Sequence, residues 1–395
     1  MRKPTLHRGC ALLCALASLT LAGAGAACAQ DASYASYVPP KSISEWPKFG
    51  TEFQYQAEYD QFSLPQTAET RQIVLAAQHE ALLELDNHWW FSNLMTLQPM
   101  QDPRIGKTTV LGKEGLFAEE LYGQWNNQIL KVKFGKFAPN FARAWFLTPG
   151  VYGQDFVSDY ALSEDIGVEA SYVLVPETYG RHQISIATFM ADRTFLSESL
   201  FYNRGKLHLS DGGPGNTNAP KSWVFSYDAA NIPVGHGALD YQLSYATLGQ
   251  GQGDSGQERR LSGGFNINMP LNGSVEETLR GHFAELRLIG EAVREWDADG
   301  VSGQKRDYVT EAAEYVHGTW VFDLTETDRW TRNPGSDVHD RLTTASIGKA
   351  IPSDTTIALG IGQHHESGVN SLWFGLQLSQ TLTVCDRCLI RAKHY

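Results

Sequence analysis

The sequence predicts an all-β chain folded as a transmembrane antiparallel β-barrel of about sixteen strands, with short periplasmic turns and long extracellular loops. Three observations predict it. Segments of roughly ten residues alternate apolar and polar side chains from Thr51 to Val384, their connections run short and long in turn, and an export signal precedes them. The last segment is the clearest. Leu372, Phe374, Leu376, Leu378, Leu382 and Val384 fall on one face, interrupted by Gln380, while Trp373, Gly375, Gln377, Ser379, Thr381 and Thr383 fall on the other. A strand's side chains alternate with period two, so such a segment has one face suited to lipid and one suited to water.

The expected domain order is a signal peptide at 1–29, a lead at 30–50, the barrel at 51–384 and a tail at 385–395. Arg2, Lys3 and Arg8 form a basic n-region, Ala11 to Leu21 an apolar h-region, and Ala27-Cys28-Ala29 a cleavage pattern before Gln30. The apolar run is short of the ~20 residues that a spanning helix needs. Gly25-Ala26-Ala27 also lacks the large aliphatic residue that opens a lipoprotein site at Cys28. No second long apolar run occurs, and mean hydropathy is −0.30, which excludes a helical membrane protein.

Cleavage removes three basic residues and no acidic one, so a formal charge of −12 becomes −15. That balance excludes nucleic acid as a partner, because binding it needs a basic footprint. Of five cysteines, Cys10, Cys14 and Cys28 lie in the signal, which leaves Cys385 and Cys388. An exported chain so poor in cysteine is not a disulfide scaffold.

The elements follow from alternation and turn chemistry. Thr51 to Phe62 alternates Phe53, Tyr55, Ala57 and Tyr59 with Gln54, Gln56, Glu58 and Asp60. Gln78–Leu85 and Trp89–Gln98 flank Asp86-Asn87-His88, and Leu116–Trp125 and Ile129–Ala138 flank Asn126-Asn127-Gln128. Strands at Asp165–Val175 and His182–Ala191 flank a turn beginning at Pro176, and those at Trp223–Ile232 and Leu239–Leu248 are joined through Pro233 to Gly237. Arg260–Met269 ends at Pro270-Leu271-Asn272-Gly273, with the next strand inside His282–Trp296. Tyr308–Val316, Trp320–Thr327, Leu342–Ala350, Thr355–Gly362 and Ser371–Val384 complete the set. Asp192–Ser222, Gly249–Glu258, Asp297–Arg306 and Asp328–Asp340 read as long loops. The strand-end placement of Tyr, Trp and Phe suits interfacial girdles, and no blade-like repeat points to a soluble propeller.

Leu121 to Leu174 carries a hairpin, then Phe134-Gly135-Lys136-Phe137-Ala138-Pro139-Asn140-Phe141, Pro149-Gly150-Val151-Tyr152-Gly153-Gln154-Asp155-Phe156 and Asp159-Tyr160. On these residues the chain resembles bacterial outer-membrane porins, in which a hairpin ending in Gly-Lys-Phe precedes a longer segment. The resemblance implies a passive channel for small hydrophilic solutes or ions, seated in outer-membrane lipid and often a homotrimer. It further implies a loop folded inward to narrow the pore, here Asn140 to Leu162. That loop offers Arg143, Asp155 and Asp159. Strand parity points Lys131 and Lys133 into the lumen beside Glu169, and opposed acids and bases would select solutes by charge. Lys136 has lipid-face parity at a strand end, which suggests the rim near lipid phosphates. The end of the chain departs from the family pattern, because the regular alternation stops at Val384 short of a closing aromatic residue.

Other constellations carry less. Cys385-Asp386-Arg387-Cys388 has no second pair to complete a metal site. His364-His365-Glu366 reads as a solvated extracellular loop. Glu295 to Gly300 imitates the start of a calcium loop, but its twelfth position is Arg306, not Glu. Neither a nucleophile elbow nor a zinc-protease helix motif occurs, so no catalytic residues, cofactor or metal are expected. The other reading of the barrel is a closed structural or adhesin-like protein acting through its extracellular loops. Polar inward residues such as Gln54, Gln56, Glu58, Lys131 and Lys133 speak for a water-filled lumen instead.

Overall fold

In a computed structural model, residues 47–64, 69–127, 129–174, 179–272, 283–333, 335–351 and 354–385 are described. Sixteen long strands form the wall. They are β1 (Lys48–Ser63), β2 (Thr70–Glu84), β3 (Trp89–Pro99), β4 (Glu114–Asn126), β5 (Leu130–Phe137), β6 (Asp165–Leu174), β7 (Arg181–Ala191) and β8 (Ser222–Val234). Then follow β9 (Gly237–Thr247), β10 (Arg259–Pro270), β11 (Ala284–Trp296), β12 (Lys305–His317), β13 (Trp320–Asn333), β14 (Ser336–Ile351), β15 (Thr355–Glu366) and β16 (Val369–Cys385). Each pairs antiparallel with its chain neighbours, and β16 pairs with β1 from Gly50 opposite Cys385 to Ser63 opposite Leu372. The sheet is therefore closed and leaves no edge, the condition for strands to cross lipid.

Alternation sorts the faces as the sequence predicts. On β16, Leu372, Phe374, Leu376, Leu378 and Leu382 are exposed on the outside, while Gln377, Ser379 and Thr381 are buried inside. Both barrel ends of the chain lie on the side of the short turns. The first of these turns is set by Asp86, whose Oδ1 accepts from the backbone N–H groups of His88 (2.7 Å) and Trp89 (2.9 Å). Those two bonds hold its carboxyl below the usual carboxylate range. Among the described residues, no helix is long and apolar enough to cross a membrane.

Several expectations need correction. The stretch Asp328–Asp340 is not a long loop, because β13 runs to Asn333 and β14 starts at Ser336. Its outward charges pair across the strands, with Arg341 Nε 2.8 Å from Asp328 Oδ1. Strand β2 begins at Thr70, eight residues before the predicted Gln78. His364, His365 and Glu366 sit on β15 instead of in a loop, and His364 points inward at 8% exposure. The proposed signal (1–29), most of the lead and residues 386–395 with Cys388 lie outside the described residues.

A charge on the outer face at mid-strand would meet lipid. Leu376→Arg should lower stability by about 2–4 kcal/mol, whereas Leu376→Phe should change it little, as reversible unfolding in liposomes would measure.

Candidate functional site

The functional candidate is the connection 138–164, which turns into the barrel instead of rising above it. Strand β5 is only eight residues long. Gly135 near its end has φ +128°, a conformation that side chains rarely adopt, and a Cβ there would lie 2.5 Å from Leu121 O. The chain then leaves the wall after Phe137.

The outgoing leg is fixed first by Asn140. Its Nδ2 donates to Asp228 (2.8 Å), its Oδ1 accepts from Gln242 (2.7 Å), and its carbonyl accepts from Ser226 (2.7 Å). Next, Glu291 Oε2 accepts from the N–H groups of Arg143 (2.6 Å) and Ala144 (3.1 Å), which open a single helical turn, α1 (Ala144–Leu147). The carbonyls of Leu147 and Pro149 accept from Arg287 and Thr325, both at 3.3 Å. At the tip, Tyr152 donates to Asp60 Oδ1 on β1 (2.8 Å) and sets its ring edge-on to Trp373. The wall makes room with glycine: a Cβ at Gly375 would lie 2.5 Å from the Tyr152 hydroxyl, and one at Gly360 2.6 Å from Val151.

The returning leg contains a 3-10 turn, Phe156–Tyr160. Asp159 accepts from Arg329 (2.7 Å) and Tyr308 (3.3 Å). Tyr160 donates to Glu291 Oε1 (2.7 Å), and its carbonyl accepts from Arg260 (2.7 Å). Between the legs and the wall, Phe141, Trp145, Val157 and Tyr160 pack on Phe189, Val224, Val293 and Tyr308. The loop is a slab laid against the far wall from β6 round to β16, with its tip on β1.

Inward side chains that stay partly exposed cluster on the opposite arc, β1 to β5: Gln54, Gln78, Glu80, Glu119, Glu120, Lys131 and Lys133. Glu52, Glu80 and Glu120 fall in one register row with Leu94. A register shift between Leu94 and Met95 lets Glu119 face inward as well, where it accepts from Thr96 (2.5 Å).

The six residues singled out from the sequence part company here. Lys131 and Lys133 lie on the inner face of β5, with Lys133 Nζ 3.8 Å from Glu169 Oε1. Arg143 is buried, and its backbone is held by Glu291. Asp159 is tied to Arg329, and Asp155 Oδ2 lies 3.9 Å from His364 Nε2. Sequence reasoning missed the anchors Asn140, Glu291, Tyr160 and Arg329, whose loop-to-wall bonds described above join residues 86 to 170 positions apart.

Lys136 is not at a lipid rim. It is buried, with Glu164 and Asp192 both at 2.9 Å, and Arg204 joins Glu164. Because β5 leaves the wall early, residues 200–201 take the edge of β4 opposite Gly115 and Leu116, and this later loop covers Lys136. Lys136→Met should strand the two carboxylates and cost about 3–5 kcal/mol in equilibrium unfolding. A change under 1 kcal/mol would contradict the assignment of this cluster as the seal behind the loop.

No protein-family model matches the sequence, and comparison with curated proteins finds no relative. Solved structures do resemble it. OprB of Pseudomonas putida aligns with TM-score 0.56 and 11% identity over 85% of this chain and 94% of its own. OmpF of Salmonella typhi, solved in complex with daunomycin, gives 0.56 and 9% over 86% and 99%. The outer membrane channel DcaP of Acinetobacter baumannii gives 0.53 and 9% over 87% and 100%. The fold is thus the closed β-barrel of outer-membrane porins.

Proposed function

We propose that this chain is an outer-membrane porin, a passive diffusion channel for small hydrophilic solutes or ions. The observation that carries the reading is the loop 138–164, anchored inside the barrel on one side while polar, partly exposed side chains line the other. A plugged structural or adhesin barrel would fill that second arc with large apolar side chains, whereas here Trp90 and Leu94 stand among Gln54, Gln78, Glu80, Glu119 and Glu120. Transport would need no chemistry from the protein, only a path whose width the loop sets and whose charge the wall sets.

Charge selection favours cations in this reading. The inward faces of β2 to β4 carry Glu80, Glu84, Glu119 and Glu120 and no lysine or arginine. Lys133 Nζ lies 3.8 Å from Glu169, and Lys131 stands on the same inner face. The loop residues Arg143 and Asp159 would serve more as anchors than as a field across the path, and Asp155 would lie at its edge.

A homotrimer is part of the proposal, supported by the outer wall of β16, β1 and β2. There His79 bonds Thr51 (2.6 Å) and stacks on Phe53, and Tyr55 donates to Gln380. Polar groups facing lipid are costly, so this patch suits contact with further copies.

In a planar bilayer under a salt gradient, the refolded protein should give discrete conductance steps and a reversal potential of cation sign. One unit charge about 4 Å from an ion's path is worth about 1 kcal/mol in water, about fivefold in partition. Glu80→Gln with Glu119→Gln and Glu120→Gln should therefore weaken cation preference by at least that much, and Lys131→Gln should strengthen it. A folded barrel without conductance would refute the channel reading.

A further inference from the structure

The anchor of the loop's tip carries more negative charge than its surroundings balance. Glu58 and Asp60 lie two residues apart on the inner face of β1 and are 2% and 0% exposed. Among the described residues neither has a lysine, arginine or histidine partner, and the two carboxyl groups interact directly. The available donors are already committed. Gln56 and Gln377 both donate to Glu58 Oε2, the latter at 3.1 Å. Gln72 and Tyr152 donate to Asp60, each at 2.8 Å.

What remains is a set of acceptors. Gln56 Oε1 and Gln377 Oε1 are buried without any hydrogen-bond partner, and Glu58 Oε1 has no donor in reach beyond a proton shared with the adjoining Asp60 carboxyl. Gln377 is the register partner of Glu58 on β16, and Gln56 precedes it on the same face, so the three side chains adjoin. Both glutamines are 1% exposed. Two adjacent buried carboxylates repel one another, and an unpaired buried charge is costly. Orphaned donors are absent from this group of side chains, so what it lacks is positive charge, supplied by a shared proton or by a cation.

We propose that Glu58, Asp60, Gln56 and Gln377 form a binding site for one hard divalent cation at the point where the constriction loop meets β1. All its donors are oxygen, two from carboxylates and two from amides, which excludes the softer metals that select imidazole or thiolate. Calcium fits best, since it accepts mixed carboxylate and amide oxygens in flexible geometry, whereas magnesium keeps several waters that a buried cleft between two strands has little room for. Because Tyr152 is bonded to Asp60, a cation there ties the loop's tip to the wall.

Terbium titration of the refolded full barrel tests this, with excitation through Tyr152 and Trp373, whose ring centroids are 5.4 Å apart. The expected result is a saturable one-site component at neutral pH that calcium displaces. It should weaken at least tenfold in Glu58→Gln and in Asp60→Asn, and persist in Glu119→Gln with Glu120→Gln. Calcium should also raise the unfolding midpoint of the native protein and not of Glu58→Gln, which keeps the side chain's size. Luminescence unchanged by Glu58→Gln and Asp60→Asn would overturn the proposal. So would the absence of a saturable component, as when the two carboxyl groups share a single proton instead. Neither readout requires conductance, so the outcome is independent of the channel reading.

Discussion

One carboxylate holds the two legs of the inward loop together. Glu291 on β11 accepts from Arg143 and Ala144 of the outgoing leg through Oε2, and from Tyr160 of the returning leg through Oε1. Backbone N–H groups and a phenol are buried there beside an apolar cluster, where a group left unbonded costs about 1–3 kcal/mol. Asn140 and Tyr152 then fix where the slab begins and ends. Without the Glu291 clamp, the wall from β6 to β16 would keep its strands but lose the surface that the loop covers.

The loop also explains features of the wall that look unrelated. Strand β5 is short because the chain must leave it at mid-barrel, and the gap this opens beside β4 is taken by residues 200–201. Lys136 then becomes the buried cation of a cluster with Glu164, Asp192 and Arg204. Gly360 and Gly375 mark where the tip approaches the opposite wall. The covered wall uses its arginines, Arg260, Arg287 and Arg329, as loop anchors, and the uncovered arc is left predominantly acidic.

The barrel was legible because period-two alternation is a local signal, and it is strongest where one face meets lipid and the other water. It failed where that contrast disappears. Beyond Thr327 the contrast between the faces of β13 fades, with Asp328, Trp330 and Arg332 outward and Arg329 and Thr331 inward, so the end of the strand read as loop. The start of β2 failed for the opposite reason. Ile73, Val74, Leu75 and Ala76 are all apolar although Val74 and Ala76 point inward, which hides the alternation. The inward loop was legible as a segment from its Gly-Lys-Phe lead. Its anchors were not, because Glu291, Arg329 and Asp60 carry no local mark of a partner far along the chain. Lys136 was misjudged from parity, since parity gives a direction and not what lies across from it.

Single-channel recording of Glu291→Ala beside the native protein tests the central claim most directly. If this carboxylate holds the loop in the lumen, the variant should still insert as a barrel and should show larger, noisier conductance steps. Steps of unchanged size and noise would mean that the loop keeps its place without the clamp, and the account of the constriction would be wrong.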